Sequence, residues 1–345
     1  MVGIISYGAY VPKYRIKVEE IAKVHGGDAE FIKTNLLIEE KSVPGIDEDS
    51  LTMSVESSIN ALKKIDIIKQ RIGAVYSGSE SPVYAVKPNA SIVGEILDIG
   101  DDYTSADVQF ACKAGTAALQ MALGLLKSGF IKYGLAIGTD TSQASPGDIL
   151  EFTASAGAAA FIVGNKKDEM IAELEEMCSV SSDTPDFWRR SMQKYPMHTE
   201  RFTGAPAYLK HVTTSTRILM KRANITIGEI DHVAFHTPNG KFPLNAGELL
   251  GFPKQKLLSN LIVSKIGNTY SAASLLVLSH ILDKAKPGER ILVTSYGGGA
   301  GSDSFLFRVT NKINRLKKKI RDTQGYMEEK EYVSYAKYCK CIGVV

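Results

Sequence analysis

The chain has 345 residues, 44% apolar and 23% charged, with 41 Lys and Arg against 38 Asp and Glu for a formal net charge of +3. That balance excludes an intrinsically disordered chain and gives no electrostatic reason to expect nucleic acid as a partner. The length suits two domains or two closely packed halves.

Val2 to Ser6 reads as a strand that Tyr10-Val11-Pro12 ends. Nothing in this opening joins a basic start to an apolar core and a small-residue cleavage site, so export is not expected. Val18 to Lys23 reads as a short helix, and His25 to Ala29 as a turn before another helical stretch. Ser50 to Lys64 carries a helical period, with Ser54, Ala61 and Leu62 inward. Ile72 to Tyr76 is a buried strand ending at Ser77-Gly78-Ser79-Glu80, and Pro88 to Leu97 is helical. Ala106 to Ala111 reads as a strand end that delivers Cys112. After it comes a helix-forming run, Ala117 to Leu126, apolar nearly all round and therefore buried. Tyr133 to Gly138 and Ala156 to Val163 are further strands.

The second half repeats this order. His232 to Phe235 is a strand ending at His236, and Ala246 to Leu250 is helical. Leu261 to Ser264 leads to Gly267-Asn268 and a buried helix, Ala272 to Leu282. Arg290 to Thr294 and Ser304 to Val309 are strands on either side of the glycine run 297–301. AGAAAFIV at 156–163 matches AGSDSFLF at 300–307, and offsets of 144 to 156 residues recur. A duplicated α/β unit follows, with mostly parallel sheets covered on both faces. The expected organisation is a half at 1–165, an insertion at 166–225 without a twin, a second half at 226–311, and a basic tail at 312–345. The insertion is rich in charge and aromatics, and reads equally as a binding-site wall or a solvated helical cover. The tail's KINRLKKKIR reads as a solvated helix before it reads as a docking face. No apolar run reaches the ~18 residues a membrane span requires.

Four cysteines, at 112, 178, 339 and 341, form no Cys-x-x-Cys pair, and Cys339-x-Cys341 lacks metal-ligand spacing. Free thiols fit a reducing, cytoplasmic setting. At the start of a buried helix, the dipole would lower the pKa of the Cys112 thiol and populate a nucleophilic thiolate. The alternative is a buried structural cysteine. The duplication bears on that choice. Glu80 and His236 end equivalent strands, Cys112 and Asn268 open equivalent helices, and each pair is 156 residues apart. A pseudo-dyad would therefore gather a nucleophile, a carboxyl, an imidazole and an amide at one place. Taken singly, Glu80 could be a surface turn acid, His236 a core histidine and Asn268 a helix cap. The glycine run lacks the Gly-Lys-Ser/Thr of a phosphate loop and precedes a strand. It reads instead as a tight hairpin bringing backbone N–H groups near Cys112, as half of an oxyanion hole.

DVQFACKAGTAAL around Cys112, YSGSES around Glu80, FHTPNGKFP around His236, IGNTYSAASLL around Asn268 and SYGGGAGSD resemble hydroxymethylglutaryl-CoA synthase, in its archaeal form, over nearly the whole chain. The resemblance implies a thiolase fold in αβαβα layers and a homodimer. It also implies condensation of acetyl-CoA with acetoacetyl-CoA to 3-hydroxy-3-methylglutaryl-CoA, early in the mevalonate route to isoprenoids. Both thioesters are substrates, and no metal or cofactor is implied. Cys112 would carry the acetyl group, Glu80 would act as base on its methyl group, and His236 would hold and protonate the alkoxide side. Asn268 would polarise the thioester carbonyl. Asp28, Ala29, Thr153, Thr203 and Gly298 match substrate or product contacts, and Arg201, Lys241 and Asn245 match coenzyme A contacts. Asn245 stands where relatives usually carry Arg, and Gly298 where many carry Ser. Archaeal relatives are also understood to assemble with acetoacetyl-CoA thiolase through a small OB-fold protein. Two alternatives stay open at the level of sequence: an initiating ketoacyl-carrier-protein synthase, which shares Cys, His and Asn but not Glu80, and a non-catalytic acyl-CoA-binding scaffold.

Overall fold

The computed structural model describes residues 1–345 except 142–143, 317–319 and 345; the side chains of residues 200 and 201 also lie outside it. Nine strands form one sheet: Gly3–Tyr10 (β1), Ile72–Gly78 (β2), Thr104–Val108 (β3), Tyr133–Asp140 (β4), Gly157–Gly164 (β5), Ala172–Ser181 (β6), His232–Phe235 (β7), Arg290–Thr294 (β8) and Gly301–Val309 (β9). Their order is β7-β8-β9-β6-β1-β5-β4-β2-β3. From the junction of β1 and β6 outward, β1-β5-β4-β2 and β6-β9-β8-β7 repeat the same arrangement. The pseudo-dyad therefore passes through that junction, a ladder of only two residue pairs, Gly3 with Glu173 and Ile4 with Ala172. Strand β3 has no counterpart in the second half, where Val263–Ile266 is a short helix instead.

Side chains alternate across the strands and so divide the core into layers. Ala136, Phe161, Val293, Phe305 and Phe307 point inward, into one cluster with Leu119, Ala122, Leu123 and Leu126 of helix Ala114–Lys127 (α2) and Leu275, Leu276 and Leu278 of helix Ala273–Leu282 (α5). Their neighbours Leu135, Ile137, Ala160 and Ile162 point out toward helix Ser50–Lys63 (α1). In the other half Val233, Phe235, Leu292 and Leu306 point out toward helices Lys210–Ala223 (α3) and Lys241–Leu250 (α4). The two buried helices thus form a middle layer between two half-sheets, each covered outside by its own helices. This is the expected αβαβα order.

Two expectations need correction. The sheet is not mostly parallel: β2 with β3, β2 with β4 and β7 with β8 are parallel, and the other five of eight junctions are antiparallel. Connections through an α-helix return the chain parallel, whereas β4 to β5 and β8 to β9 turn back with no α-helix among the described residues. Nor do residues 166–225 lack a twin. Strand β6 occupies the place of β1, and α3 packs on β6 and β9 as α1 packs on β1 and β5. The connectors between first strand and first helix, 11–49 and 182–209, are what differ, and their dissimilar sequences conceal the repeat.

The tail folds back onto the body. Glu331–Tyr332 pairs with Tyr14–Arg15, in a small sheet completed by Glu40–Val43, and leads into helix Tyr335–Cys341 (α6). The basic run is not a long helix where described. Asn311–Arg315 forms a single 3₁₀ turn, and residues 317–319 lie outside the description.

Candidate active site

Strand β3 ends at Val108, and the chain turns sharply to present Cys112 two residues before α2 begins. Ala111 takes a left-handed conformation, with φ of 44°, a cost of order 1–3 kcal/mol for a non-glycine residue. The turn is anchored from the other half of the molecule. Buried Lys113 donates to Asp303 Oδ1 on β9 at 2.9 Å, and Thr116 Oγ1 donates to its Oδ2 at 2.9 Å.

Strand β2 approaches from the side. A β-carbon on Gly78 would lie 2.2 Å from the Ala114 carbonyl carbon, so only glycine allows the strand so close to α2. That approach sets Glu80 against the nucleophile: Cys112 Sγ donates to Glu80 Oε1 at 3.1 Å. Both residues are buried. The Glu80 turn is held by Asp140, at the end of β4. Its Oδ1 accepts from the Glu80 N–H at 2.8 Å, the Ser81 N–H at 3.0 Å and the hydroxyls of Ser79 and Ser81, while Oδ2 accepts from the Ser271 N–H just ahead of α5. Arg189 donates to the Glu80 carbonyl at 2.9 Å.

Burial, and then the nearby Asp140 charge, push the Glu80 carboxyl up to about 8; the Cys112 hydrogen bond and Arg189 oppose the rise. Burial and Glu80 likewise push the Cys112 thiol well above its ordinary value. This reverses the expectation of a lowered pKa. A helix N-terminus offers about half a positive charge, which cannot offset burial beside a full carboxylate. The pair therefore keeps a proton, and Glu80 is the group placed to accept it from the thiol.

From the second half, His236 follows β7, with its N–H donating to the Thr294 carbonyl and its own carbonyl accepting from Tyr208 at 2.6 Å. The ring is buried, which pulls its pKa down to about 3, and Nδ1 has no hydrogen-bond partner among the described residues. It is a neutral imidazole. Asn268 exchanges backbone bonds with the segment opposite: its N–H donates to the Thr153 carbonyl at 2.7 Å, and its carbonyl accepts from the Ser155 N–H. The glycine turn packs beside the nucleophile, since a β-carbon on Gly297 would lie 2.6 Å from the Phe110 carbonyl oxygen and 3.0 Å from Lys113 Cβ.

Cys112, Thr153, Thr203, His236, Asn268 and Gly298 line one cavity of about 760 Å³, with Glu80 reached through the Cys112 thiol. Other expected residues stand apart from its lining. Asp28 is exposed and caps helix Ala29–Asn35, accepting from the Phe31 N–H; Phe31, not Asp28 or Ala29, reaches the cavity. Lys241 is exposed and Asn245 half-buried on α4, which contributes Phe242 instead. The Arg201 side chain lies outside the described residues.

Several lining or supporting residues escaped the sequence reading. Asp140 could have been found as the acid ending an otherwise uncharged buried strand. Asp186 accepts from the Tyr296 hydroxyl and the Gly299 N–H, and Phe187 beside it lines the cavity. Phe187 also explains Gly298: a β-carbon there would lie 2.7 Å from Phe187 Cβ. Asp148 and His198 form a further cavity-lining pair at 3.3 Å. No helix among the described residues is long and apolar enough to cross a membrane.

Residues 220–309 match the family model described as 3-Oxoacyl-[acyl-carrier-protein (ACP)] synthase III C terminal. Over its full length the chain is similar to curated proteins named hydroxymethylglutaryl-CoA synthase. The one from Methanocaldococcus jannaschii is 54% identical over 340 residues, covering 99% of this chain and 98% of that protein. The one from Methanopyrus kandleri is 53% identical over 339 residues, covering 98% and 96%. Among solved structures, MvaS in complex with 3-hydroxy-3-methylglutaryl coenzyme A superimposes with a TM-score of 0.86 at 22% identity, over 99% of this chain and 91% of the other. An HMG-CoA synthase complexed with CoA also gives 0.86, at 24% identity, over 98% and 89%.

Proposed function

The chain belongs to the hydroxymethylglutaryl-CoA synthase family, which condenses acetyl-CoA with acetoacetyl-CoA, and from that premise we propose how its own residues divide the work. Cys112 attacks the acetyl-CoA carbonyl while its proton passes to Glu80, 3.1 Å away. The proton goes on to the departing CoA sulfur, leaving acetyl-Cys112 and a Glu80 carboxylate. Glu80 then takes a proton from the acetyl methyl group, and the resulting carbon nucleophile adds to the ketone of acetoacetyl-CoA. The alkoxide so formed is reprotonated from Glu80. His236, neutral because burial holds its pKa near 3, supports the alkoxide as a hydrogen-bond donor rather than as an acid. Asn268 polarises the thioester carbonyl. Water finally cleaves the bond to Cys112, restoring the thiol and releasing 3-hydroxy-3-methylglutaryl-CoA.

The observation that carries this reading is the buried Cys112–Glu80 bond on a cavity shared with His236 and Asn268. An initiating ketoacyl synthase, which the match at 220–309 alone would also suit, has no use for a carboxyl there. The test is intact-mass measurement with acetyl-CoA, followed by acetoacetyl-CoA. One acetyl group should add to the wild type and none to Cys112→Ala. Glu80→Ala, which loses the acceptor of the thiol proton, should acetylate at least about tenfold more slowly but still to one acetyl group, and should yield no branched six-carbon acyl product. Condensation by that variant at the normal rate would remove Glu80 from its role.

The same reading extends to a homodimer, a cytoplasmic setting without a resident metal or cofactor, and assembly with acetoacetyl-CoA thiolase through a small OB-fold protein. Family likeness supports the assembly, and the open edge strand β3 supports pairing of two copies. Sedimentation of the purified protein, alone and with the thiolase, tests both.

A further inference from the structure

We propose that the C-terminal helix α6 is a positioning element of the active site, holding the Ile149–Thr153 wall and, through it, Asn268 by way of Lys41 and Glu151. Lys41 is buried, and its Nζ donates to the Glu151 backbone carbonyl and, at 3.0 Å, to the Tyr338 hydroxyl of α6. The ammonium also lies 4.5 Å from the centre of the Tyr338 ring. The Glu151 side chain is fully buried. Its carboxylate accepts from the Tyr335 hydroxyl of α6 at 2.8 Å and the Gly147 N–H at 2.7 Å, and lies 3.0 Å from His25 Nε2. Glu151 thus ties the segment that contributes Ile149, Leu150 and Thr153 to the cavity back to Gly147 and to α6.

The link to Asn268 is equally direct. The Thr153 carbonyl accepts from the Asn268 N–H at 2.7 Å. Gly267 precedes it in a left-handed conformation, φ 76°, so tightly enclosed that a β-carbon would meet the Thr153 carbonyl at 2.7 Å, Lys41 Cβ at 2.8 Å and Ser155 Cβ at 2.9 Å. Lys41 therefore touches the turn that aims Asn268 and bonds the turn that aims Thr153. Helix α6 is itself moored: Glu331–Tyr332 pairs with Tyr14–Arg15, and the Tyr332 hydroxyl donates to Glu40. A buried ammonium and carboxylate are costly to keep out of water and are weak devices for stability alone. Here their hydrogen bonds converge on two cavity-lining residues. Cys112 and Glu80 are held by different groups, Asp140, Asp303 and Arg189, none of which touches this cluster.

The proposal rests on Asn268 and Thr153 serving the condensation, and it predicts a split between half-reactions. In the full-length protein, Tyr335→Phe with Tyr338→Phe keeps both rings and removes two hydroxyls. The double variant should acetylate Cys112 within about twofold of the wild-type rate, while kcat/KM for acetoacetyl-CoA falls roughly tenfold, as expected for sub-ångström misplacement. Lys41→Met should show the same split, and if it fails to fold the tyrosine pair still decides. Wild-type kcat/KM in the double variant, or equal losses in acetylation and condensation, overturns the proposal. Asn268→Ala is the reference. If it condenses normally, the assignment of Asn268 fails and the brace has nothing to aim; if it loses condensation while the tyrosine variant does not, only the brace fails.

Discussion

Glu80 and Cys112 compete for one proton, and Asp140, fully buried beneath them, settles the competition against a second anion. Burial and, after it, the Asp140 charge raise Glu80 to about 8, and the Asp140 carboxylate accepts from the Glu80 turn. For catalysis the consequence is a requirement for deprotonation: Glu80 can take a methyl proton only as a carboxylate. Single-turnover condensation by pre-acetylated enzyme should therefore rise with pH through about 8, and a flat profile between pH 6 and 9 would refute the assignment. The sign for stability is opposite. Between the ordinary carboxyl value near 4.5 and about 8, the folded protein keeps a proton that the unfolded chain has released. This contribution is present at pH 4 and is lost as pH rises to 8. Glu80→Gln cannot titrate, so its melting temperature should fall less than that of the wild type between pH 5 and 8. Cys112, Glu80, His236 and Asn268 were legible because duplication put them at matched offsets. Asp140 was passed over although it is the lone acid ending a buried strand, because the backbone amides and serine hydroxyls it accepts from meet it only in the fold. The sign of the thiol shift was missed for a related reason: a helix start is visible in the sequence, but a carboxylate 3.1 Å away is not.

Among the elements, those with long apolar patterns could be read directly. The expected Pro88–Leu97, Ala272–Leu282 and Arg290–Thr294 became Asn89–Ile96, Ala273–Leu282 and Arg290–Thr294. The failures lie where pairing, not pattern, decides. Strand β6 carries three acidic residues, Glu173, Glu175 and Glu176, yet its direction and place come from backbone pairing with β1 and β9. The connector 182–209 has no periodicity, but it delivers Asp186, Phe187 and His198 to the cavity. Where two elements meet backbone to backbone, the sequence shows only a glycine, and Gly78 is the clearest instance. Gly78→Ala would force β2 away from α2, since the added carbon meets the Ala114 main chain rather than a movable side chain. We expect a loss of about 1–3 kcal/mol in stability from overpacking. Acetylation should also slow at least tenfold because Glu80 retreats from the thiol; normal acetylation in a folded Gly78→Ala protein would show that the close approach does not set the catalytic pair.

At the scale of the whole molecule, the middle layer decides how the chain holds together. The half-sheets meet through only two residue pairs, too short a ladder to bind them. What joins them is α2 and α5, whose side chains occupy one cluster with inward residues from both half-sheets. Neither half has a closed core without the other's helix, and the Lys113–Asp303 bond crosses between them at the active site. Chains of this length commonly unfold in steps, domain by domain. Here a shared core predicts one transition. The single tryptophan, Trp188, sits in the connector 182–209 of the second half, so its fluorescence reports on that half, whereas far-UV circular dichroism reports on both. In urea the two signals should change together, with one midpoint. Leu276→Ala, a cavity in the shared layer, should lower that midpoint by the equivalent of about 2–5 kcal/mol without separating the signals. Two midpoints in the wild type would mean that each half folds on its own core, and the active site would then be an interface between two domains rather than the centre of one.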